Sequence, residues 1–260
     1  MALTMERRLP QRAFLDVTFA AISSEEALRW IIEAAGDATF RYVVTPNVDH
    51  VVMLHGEGGQ GWRRDYRAAV EAADIVVNDS RVLTRLARLA GVDLPTVPGS
   101  DLTRMLVMDA IPAGSKIAFV GGSLADAAWL RTALAQCRIA HLAPPMGVRD
   151  RPEVQDAIAE FVERETPDIT FLAIGAPQSE LVACRLAMRG RARGVALCIG
   201  ASIEFLSGAR RRAPRWMQRA GLEWAFRLLS EPRRLWRRYV VEGPRIFIIW
   251  YRWRRAFPSR

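Results

Sequence analysis

Five times between residues 41 and 202 a short apolar run ends in a polar or glycine turn and then gives way to a helical pattern. No other feature constrains the fold as strongly. Residues 41–45 end at Thr45-Pro46-Asn47, and a helix is expected over 48–54. Residues 73–77 end at Asn78-Asp79-Ser80, before a helix over 81–89 closed by Gly91. Residues 116–120 end at Gly121-Gly122-Ser123, before a helix over 124–137. Residues 168–174 end at Gly175-Ala176-Pro177, before a helix over 178–189, and residues 194–199 end at Gly200-Ala201-Ser202. Strands alternating with helices predict an α/β fold, a mostly parallel sheet covered by helices on both faces. The strands read as continuous apolar runs, as a sheet buried on both sides requires.

That architecture places a site. Ligands of open α/β sheets bind beyond the carboxyl ends of the strands, and Thr45, Asn47, Asp79, Gly121, Gly122, Gly175 and Gly200 all fall there. Glycine lets a backbone approach a ligand closely, and helix N-termini present free N–H groups to phosphate. A nucleotide or nucleotide-sugar suits such an edge, although each glycine alone is also an ordinary strand-to-helix turn. Gly121-Gly122-Ser123 does not complete the dinucleotide fingerprint, so no such cofactor is expected. Asp79 has two readings of equal weight: a general base, or the N-cap of the helix that follows. His50 and His55 are spaced wrongly for one helix face and His141 stands apart, so no histidine metal site is expected. Cys137, Cys184 and Cys198 show no CxxC spacing and read as small buried hydrophobes in a reducing compartment.

The charge is distributed unevenly. Residues 209–260 hold 15 arginines against Glu223, Glu231 and Glu242, a net of +12, while residues 1–208 are net −3. The same tail carries Trp216, Trp224, Trp236, Trp250 and Trp253, five of the eight tryptophans. Guanidinium groups pair with phosphate and indole rings settle at headgroup depth, so the tail suits an anionic membrane surface. The chain divides into a body, 1–208, and a basic helical membrane-associating appendage, 209–260. No apolar run approaches the ~20 residues of a spanning helix, and no apolar segment follows the basic Arg7, Arg8 and Arg12 to form a signal peptide. Peripheral attachment is the expectation. Nucleic acid is the rival partner for a basic, aromatic tail, but no recognisable binding module is present.

Several spaced blocks carry a resemblance to one family. They are Thr45-Pro46-Asn47, the Asp79 turn, Gly99-Ser100-Asp101, Gly121-Gly122, and Gly175-Ala176-Pro177 with Glu180. In the tail they are Arg212-Ala213-Pro214-Arg215-Trp216, Gly221-Leu222-Glu223-Trp224, Arg227-Leu228, Glu231-Pro232-Arg233-Arg234 and Arg237-Arg238-Tyr239. From about Arg41 to Tyr239 the chain resembles the bacterial WecG/TagA/CpsF glycosyltransferases. The resemblance implies a Rossmann-like body and inverting, metal-independent hexosyl transfer with no cofactor. The donor would be a UDP-sugar and the acceptor a polyprenyl-diphosphate-linked saccharide, at the cytoplasmic face of the inner membrane. Donors in the family include UDP-N-acetylmannosamine, its uronic acid and UDP-glucose.

The resemblance resolves Asp79 in favour of the base that deprotonates the acceptor hydroxyl. It implies substrate contacts for Thr45, Asn47, Asp101, Gly121, Gly122, Gly175, Pro177 and Glu180, and diphosphate contacts for Arg227, Arg234 and Arg237. Guanidinium forks match phosphate oxygens and can meet the charge that develops on the leaving group. The chain departs from the family pattern at Asn78, Thr96, Ser179 and Glu204, where proline, arginine, glutamine and aspartate are usual. These departures favour a UDP-hexose donor of the exopolysaccharide-type branch. Two other functions fit the same composition: a soluble α/β enzyme of another nucleotide whose tail drives homo-oligomerisation, and a nucleic-acid binder.

Overall fold

The structure is a computed structural model that describes residues 9–56 and 61–256. Arg7, Arg8 and the last four residues of the tail lie outside the described residues. The chain opens with an antiparallel hairpin, β1 (Gln11–Phe14) and β2 (Val17–Ala20), followed by α1 (Ser24–Ala35) and β3 (Arg41–Val44). Next come α2 (Val48–Leu54), α3 (Gly61–Glu71), β4 (Ile75–Val76), α4 (Arg81–Leu89) and α5 (Gly99–Met105), the last running into a π-helical turn, Leu106–Ala110. The second half of the body holds β5 (Lys116–Gly121), α6 (Leu124–Ala133), β6 (Arg138–Leu142), α7 (Pro152–Glu165), β7 (Ile169–Ala173), α8 (Gln178–Arg189), β8 (Val195–Cys198) and α9 (Ser202–Leu206). The tail forms α10 (Arg215–Ala220), α11 (Glu223–Ser230), α12 (Pro232–Trp236), a π-helical stretch over Arg237–Glu242, and α13 (Arg245–Ala256).

The main sheet has six strands in the order β4-β3-β8-β7-β5-β6, every neighbouring pair parallel. Successive side chains point to opposite faces of a strand, and two separate core clusters follow from that alternation. Tyr42, Val44, Ala118, Val120, Leu172 and Ala196 pack with Val51, Tyr66, Leu83, Ile158 and Val182 of α2, α3, α4, α7 and α8. Val43, Ile117, Phe119, Phe171 and Leu197 pack on the other face with Ile31, Leu102, Leu130 and Ile203 of α1, α5, α6 and α9. The α/β fold with both faces covered is therefore the one expected.

Three details differ from the sequence reading. The strand expected over 73–77 pairs only through Ile75–Val76. The helix expected to reach residue 137 stops at Ala133, because the chain must turn before β6 at the sheet edge. Only Cys198 of the three cysteines is fully buried, and all three are free.

The tail packs back on the body. Ile246 is buried in the same cluster as α2, α4 and the β1–β2 hairpin, and Ile249, Trp250 and Trp253 lie against it. Trp250 donates its indole N–H to the Leu86 carbonyl at 2.9 Å. Trp253 meets Phe14 edge to face with ring centroids 5.3 Å apart, a favourable aromatic geometry. Two of the five tail tryptophans thus belong to the body's packing. Trp216, Trp224 and Trp236 remain 65%, 42% and 50% exposed.

Candidate active site

A cavity of about 760 Å³ opens at the carboxyl ends of β4, β3, β8 and β7, and the tail closes its far side. From the sequence-predicted residues it collects Thr45, Asn47, Asp79, Asp101, Gly175, Glu180, Arg227 and Arg234. Gly121, Gly122, Pro177 and Arg237 are not on its wall. Gly121 and Gly122 have another reason to be glycine. Both have positive φ, 94° and 63°; a Cβ on Gly121 would meet the Ala173 carbonyl at 2.6 Å, and one on Gly122 would collide with the Phe119 ring. Pro177 is buried at the start of α8.

Local structure removes one of the two readings of Asp79, that of N-cap of α4. The N-cap of α4 is Ser80, whose hydroxyl accepts from the Leu83 N–H at 3.3 Å. Asp79 is free of that task. Its own N–H donates to the Pro46 carbonyl at 3.0 Å, and its Oδ1 accepts from the Gly99 N–H at 2.7 Å. Beneath it Asn78 is buried and fixes the turn, donating to Thr84 at 2.8 Å and to the Pro95 carbonyl at 3.0 Å, and accepting from the Ser80 N–H at 2.9 Å. Thr84 also contacts Thr96 through their hydroxyls at 2.6 Å. The family departures at Asn78 and Thr96 thus belong to one network under the carboxyl.

The Asp79 carboxyl is half-buried, with one edge on the cavity. Crowding by protein pushes it up to about 6; the Gly99 N–H pulls the other way, Glu223 adds to the rise, and His50 and Arg227 hold it down. Beside it Asn47 caps α2, its Oδ1 accepting from the Asp49 N–H at 3.0 Å. Thr45 donates its hydroxyl to the Cys198 carbonyl at 3.3 Å, tying β3 to β8 at the cavity floor.

The opposite wall is basic. Arg210 lies 3.1 Å from Glu204 and 3.4 Å from Glu231, and Arg234 lies 2.5 Å from Glu231. Arg212 reaches Asp101 at 2.8 Å, and Arg238 is ion-paired with Asp49. Arg227 instead stacks its guanidinium over Phe205 at 5.3 Å; among the described residues it has no carboxylate within ion-pair distance and acts on Asp79 and Glu231 from further off. Arg238 occupies the wall where Arg237 was expected. Both stand at the start of the π-helical stretch. Sequence reasoning also missed Arg210, Arg238, His50, Glu223, Trp224 and Tyr239 as lining residues. Glu223, Trp224, Arg238 and Tyr239 stand in the tail blocks that carry the resemblance, and Arg210 lies two residues before another, but the resemblance gave none of them a contact. Among the described residues no group of three or more His, Cys, Asp or Glu side chains is arranged to hold a metal.

The doubly covered parallel sheet is Rossmann-like, and a strand-end carboxyl and several arginines meet in one cavity at its carboxyl edge. Residues 12–260 match the family described as "Glycosyl transferase WecG/TagA/CpsF family". The chain belongs to that family and is a glycosyltransferase. It is also 30% identical over 180 residues, 67% of each chain, to an N-acetylglucosaminyldiphosphoundecaprenol N-acetyl-beta-D-mannosaminyltransferase of Bacillus spizizenii.

Proposed function

We propose that this enzyme transfers a hexose or N-acetylhexosamine, with inversion, from a UDP-sugar to a polyprenyl-diphosphate-linked saccharide during cell-surface or exopolysaccharide synthesis. The observation that carries the reading is Asp79, a strand-end carboxyl not used to cap α4, raised to about 6 and facing the arginine wall across one cavity. The acceptor hydroxyl approaches Asp79 and gives up its proton to the carboxylate. Its oxygen attacks the anomeric carbon from the face opposite the diphosphate, the bond to UDP breaks, and UDP leaves as an anion. Asp79 then returns the proton to water. The charge that develops on UDP is met by Arg227, with Arg234, Arg212 and Arg238 near it, so guanidinium groups do the work a metal would otherwise do.

The body, 1–208, supplies the base and floor, and the appendage, 209–260, supplies the guanidinium wall and a membrane-facing surface. Leu229, Val240, Val241, Phe247, Ile248 and Tyr251 are exposed along with Trp216 and Trp236. No helix of the described residues is long and apolar enough to cross a membrane. This surface suits peripheral attachment at the cytoplasmic face of the inner membrane, where a polyprenyl-linked acceptor is held. The test is a panel of UDP-sugars mixed with the protein and a lipid-linked acceptor, read as UDP release. Release that depends on one sugar and on the acceptor supports the reading. No release with any sugar refutes it.

A further inference from the structure

Helix α13 is apolar on two opposite sides. Its inner side, Ile246, Ile249, Trp250 and Trp253, is the one packed on the body. At roughly 3.6 residues per turn the opposite side falls to Pro244, Phe247, Ile248 and Tyr251, spaced i, i+3, i+4 and i+7. Pro244 joins this stripe because its carbonyl accepts the Phe247 N–H at 3.1 Å, in the turn that opens the helix. Phe247, Ile248 and Tyr251 are 56%, 55% and 56% exposed. A helix packed on a globular body ordinarily turns polar side chains outward.

The stripe starts inside the cavity. Among the described residues, three large exposed apolar side chains also line the cavity: Met146, Trp224 and Phe247. Met146 sits beside Gly147 in the loop between β6 and α7, and the turn after Trp224 brings Arg227. Phe247 is the one that continues outward as an apolar surface, with Pro244 behind it on the cavity wall. The inner end of the stripe also leads to a guanidinium. The Gly243 N–H donates to the Arg238 carbonyl at 2.8 Å, so a single turn separates Pro244 from Arg238, another residue of the wall. From Pro244 to Tyr251 the helix rises about 10 Å. A ligand with an anionic head and a long apolar chain fits that order, its head among the arginines and its chain on the stripe.

We propose that the outer stripe of α13 is the track along which the acceptor's polyprenyl chain leaves the cavity. The lipid diphosphate lies at Arg238, and the first isoprenyl units lie on Pro244, Phe247, Ile248 and Tyr251. Arg245 and Arg252, exposed on the same helix, suit the headgroup region into which the rest of the chain passes. The inference rests on the reading of the acceptor as a polyprenyl-diphosphate-linked saccharide and gives its lipid a path.

The test is calorimetric titration of isopentenyl diphosphate and farnesyl diphosphate into the full-length protein without lipid, since the two share a charged head and differ in prenyl length. The wild type should bind farnesyl diphosphate ~10–100-fold more tightly, the scale of two or three buried methylenes. Phe247→Gln with Ile248→Gln should bring the two ligands within about 3-fold and leave isopentenyl diphosphate unchanged. Both side chains are more than half exposed, so the packed side of α13 stays intact. Val240→Gln with Val241→Gln, exposed but off the cavity wall, should keep the full farnesyl advantage. A wild type with no farnesyl advantage, or an advantage that the stripe variant retains, overturns the proposal. If that variant retains it but no longer binds phosphatidylglycerol vesicles, the stripe serves the bilayer alone. An equal loss of isopentenyl diphosphate assigns Phe247 to the charged head and also overturns the track. So does a wild-type dimer that the stripe variant splits in sedimentation, because a second copy then covers the stripe. A wild type that binds neither prenyl diphosphate brings down the polyprenyl-acceptor reading together with this inference. Isopentenyl diphosphate bound without a farnesyl advantage brings down only the inference.

Discussion

Asp79→Asn separates the catalytic from the structural cost of the carboxyl. Asparagine keeps an oxygen for the Gly99 N–H, now 2.7 Å from Oδ1, and Ser80 still caps α4, so the turn survives. Loss of a general base should lower kcat ~10²–10⁴-fold. The same substitution should stabilise the protein at neutral pH. The folded carboxyl is raised from 3.8 to about 6, so between those values the folded state holds a proton that the unfolded chain has lost. Stability of the wild type then falls as pH rises through that window and is level above it. About two units at roughly 1.4 kcal/mol each gives an upper bound on the order of 3 kcal/mol, reduced because one edge of the carboxyl meets cavity water. Urea unfolding of both proteins at pH 4.5, 5.5 and 7.5 reads this directly. The variant's advantage should grow over the first interval and be nearly complete by pH 7.5, and wild-type kcat/KM should fall about tenfold per unit below pH ~6. A variant less stable than the wild type at pH 7.5, or an advantage that does not change with pH, refutes the account of a raised carboxyl.

Arg227→Ala should lower kcat/KM ~10–100-fold, the loss of a charge-assisted contact, while Arg237→Ala, off the cavity wall, should change it by less than about 3-fold; equal losses in steady-state kinetics would contradict the assignment. Trp253→Ala should lower stability by about 2 kcal/mol in denaturant titration, below the ~3–5 of a fully buried ring, and leave binding to anionic vesicles intact. Trp216→Ala together with Trp236→Ala should do the reverse, and identical behaviour of the two variants would mean the tail has no separate packed and lipid-facing sides. Transfer should survive excess EDTA, and activity lost to chelation and restored by magnesium would overturn the guanidinium role.

The parallel sheet was legible because each of its well-buried strands is an apolar run followed by a turn signal. β6 carried no such signal: Arg138–Leu142 is an edge strand, half-exposed and polar at two of its five positions. The β1–β2 hairpin was equally silent. Its turn uses Leu15 and Asp16 at φ 51° and 54°, where glycine or asparagine usually marks such a turn. Leu15 tolerates the conformation because it is fully buried against the core. The strand-end residues Thr45, Asn47 and Asp79 could be read from sequence because β-to-α turns meet at one sheet edge. The arginine positions could not be read with the same certainty. Arg237 and Arg238 are adjacent in one block, and nothing in their charge or spacing tells which of the two lines the cavity.

The tail's net charge of +12 is not all free to meet a membrane. Arg210, Arg212, Arg234 and Arg238 each face an acidic side chain, three of which belong to the body. These side chains are 18–53% exposed, and partly exposed pairs of this kind are worth roughly 0–1 kcal/mol. Exchanging a carboxylate for a diphosphate therefore costs little, while the pairs keep the guanidinium groups pointed inward beforehand. Arg227 has no carboxylate within ion-pair distance among the described residues and lies flat on Phe205, so it can receive phosphate without first breaking an ion pair. On the proposed reading the acidic side chains hold Arg210, Arg212, Arg234 and Arg238 toward the cavity, and membrane contact falls to the rest of the tail, where Trp216, Leu229 and Trp236 are exposed.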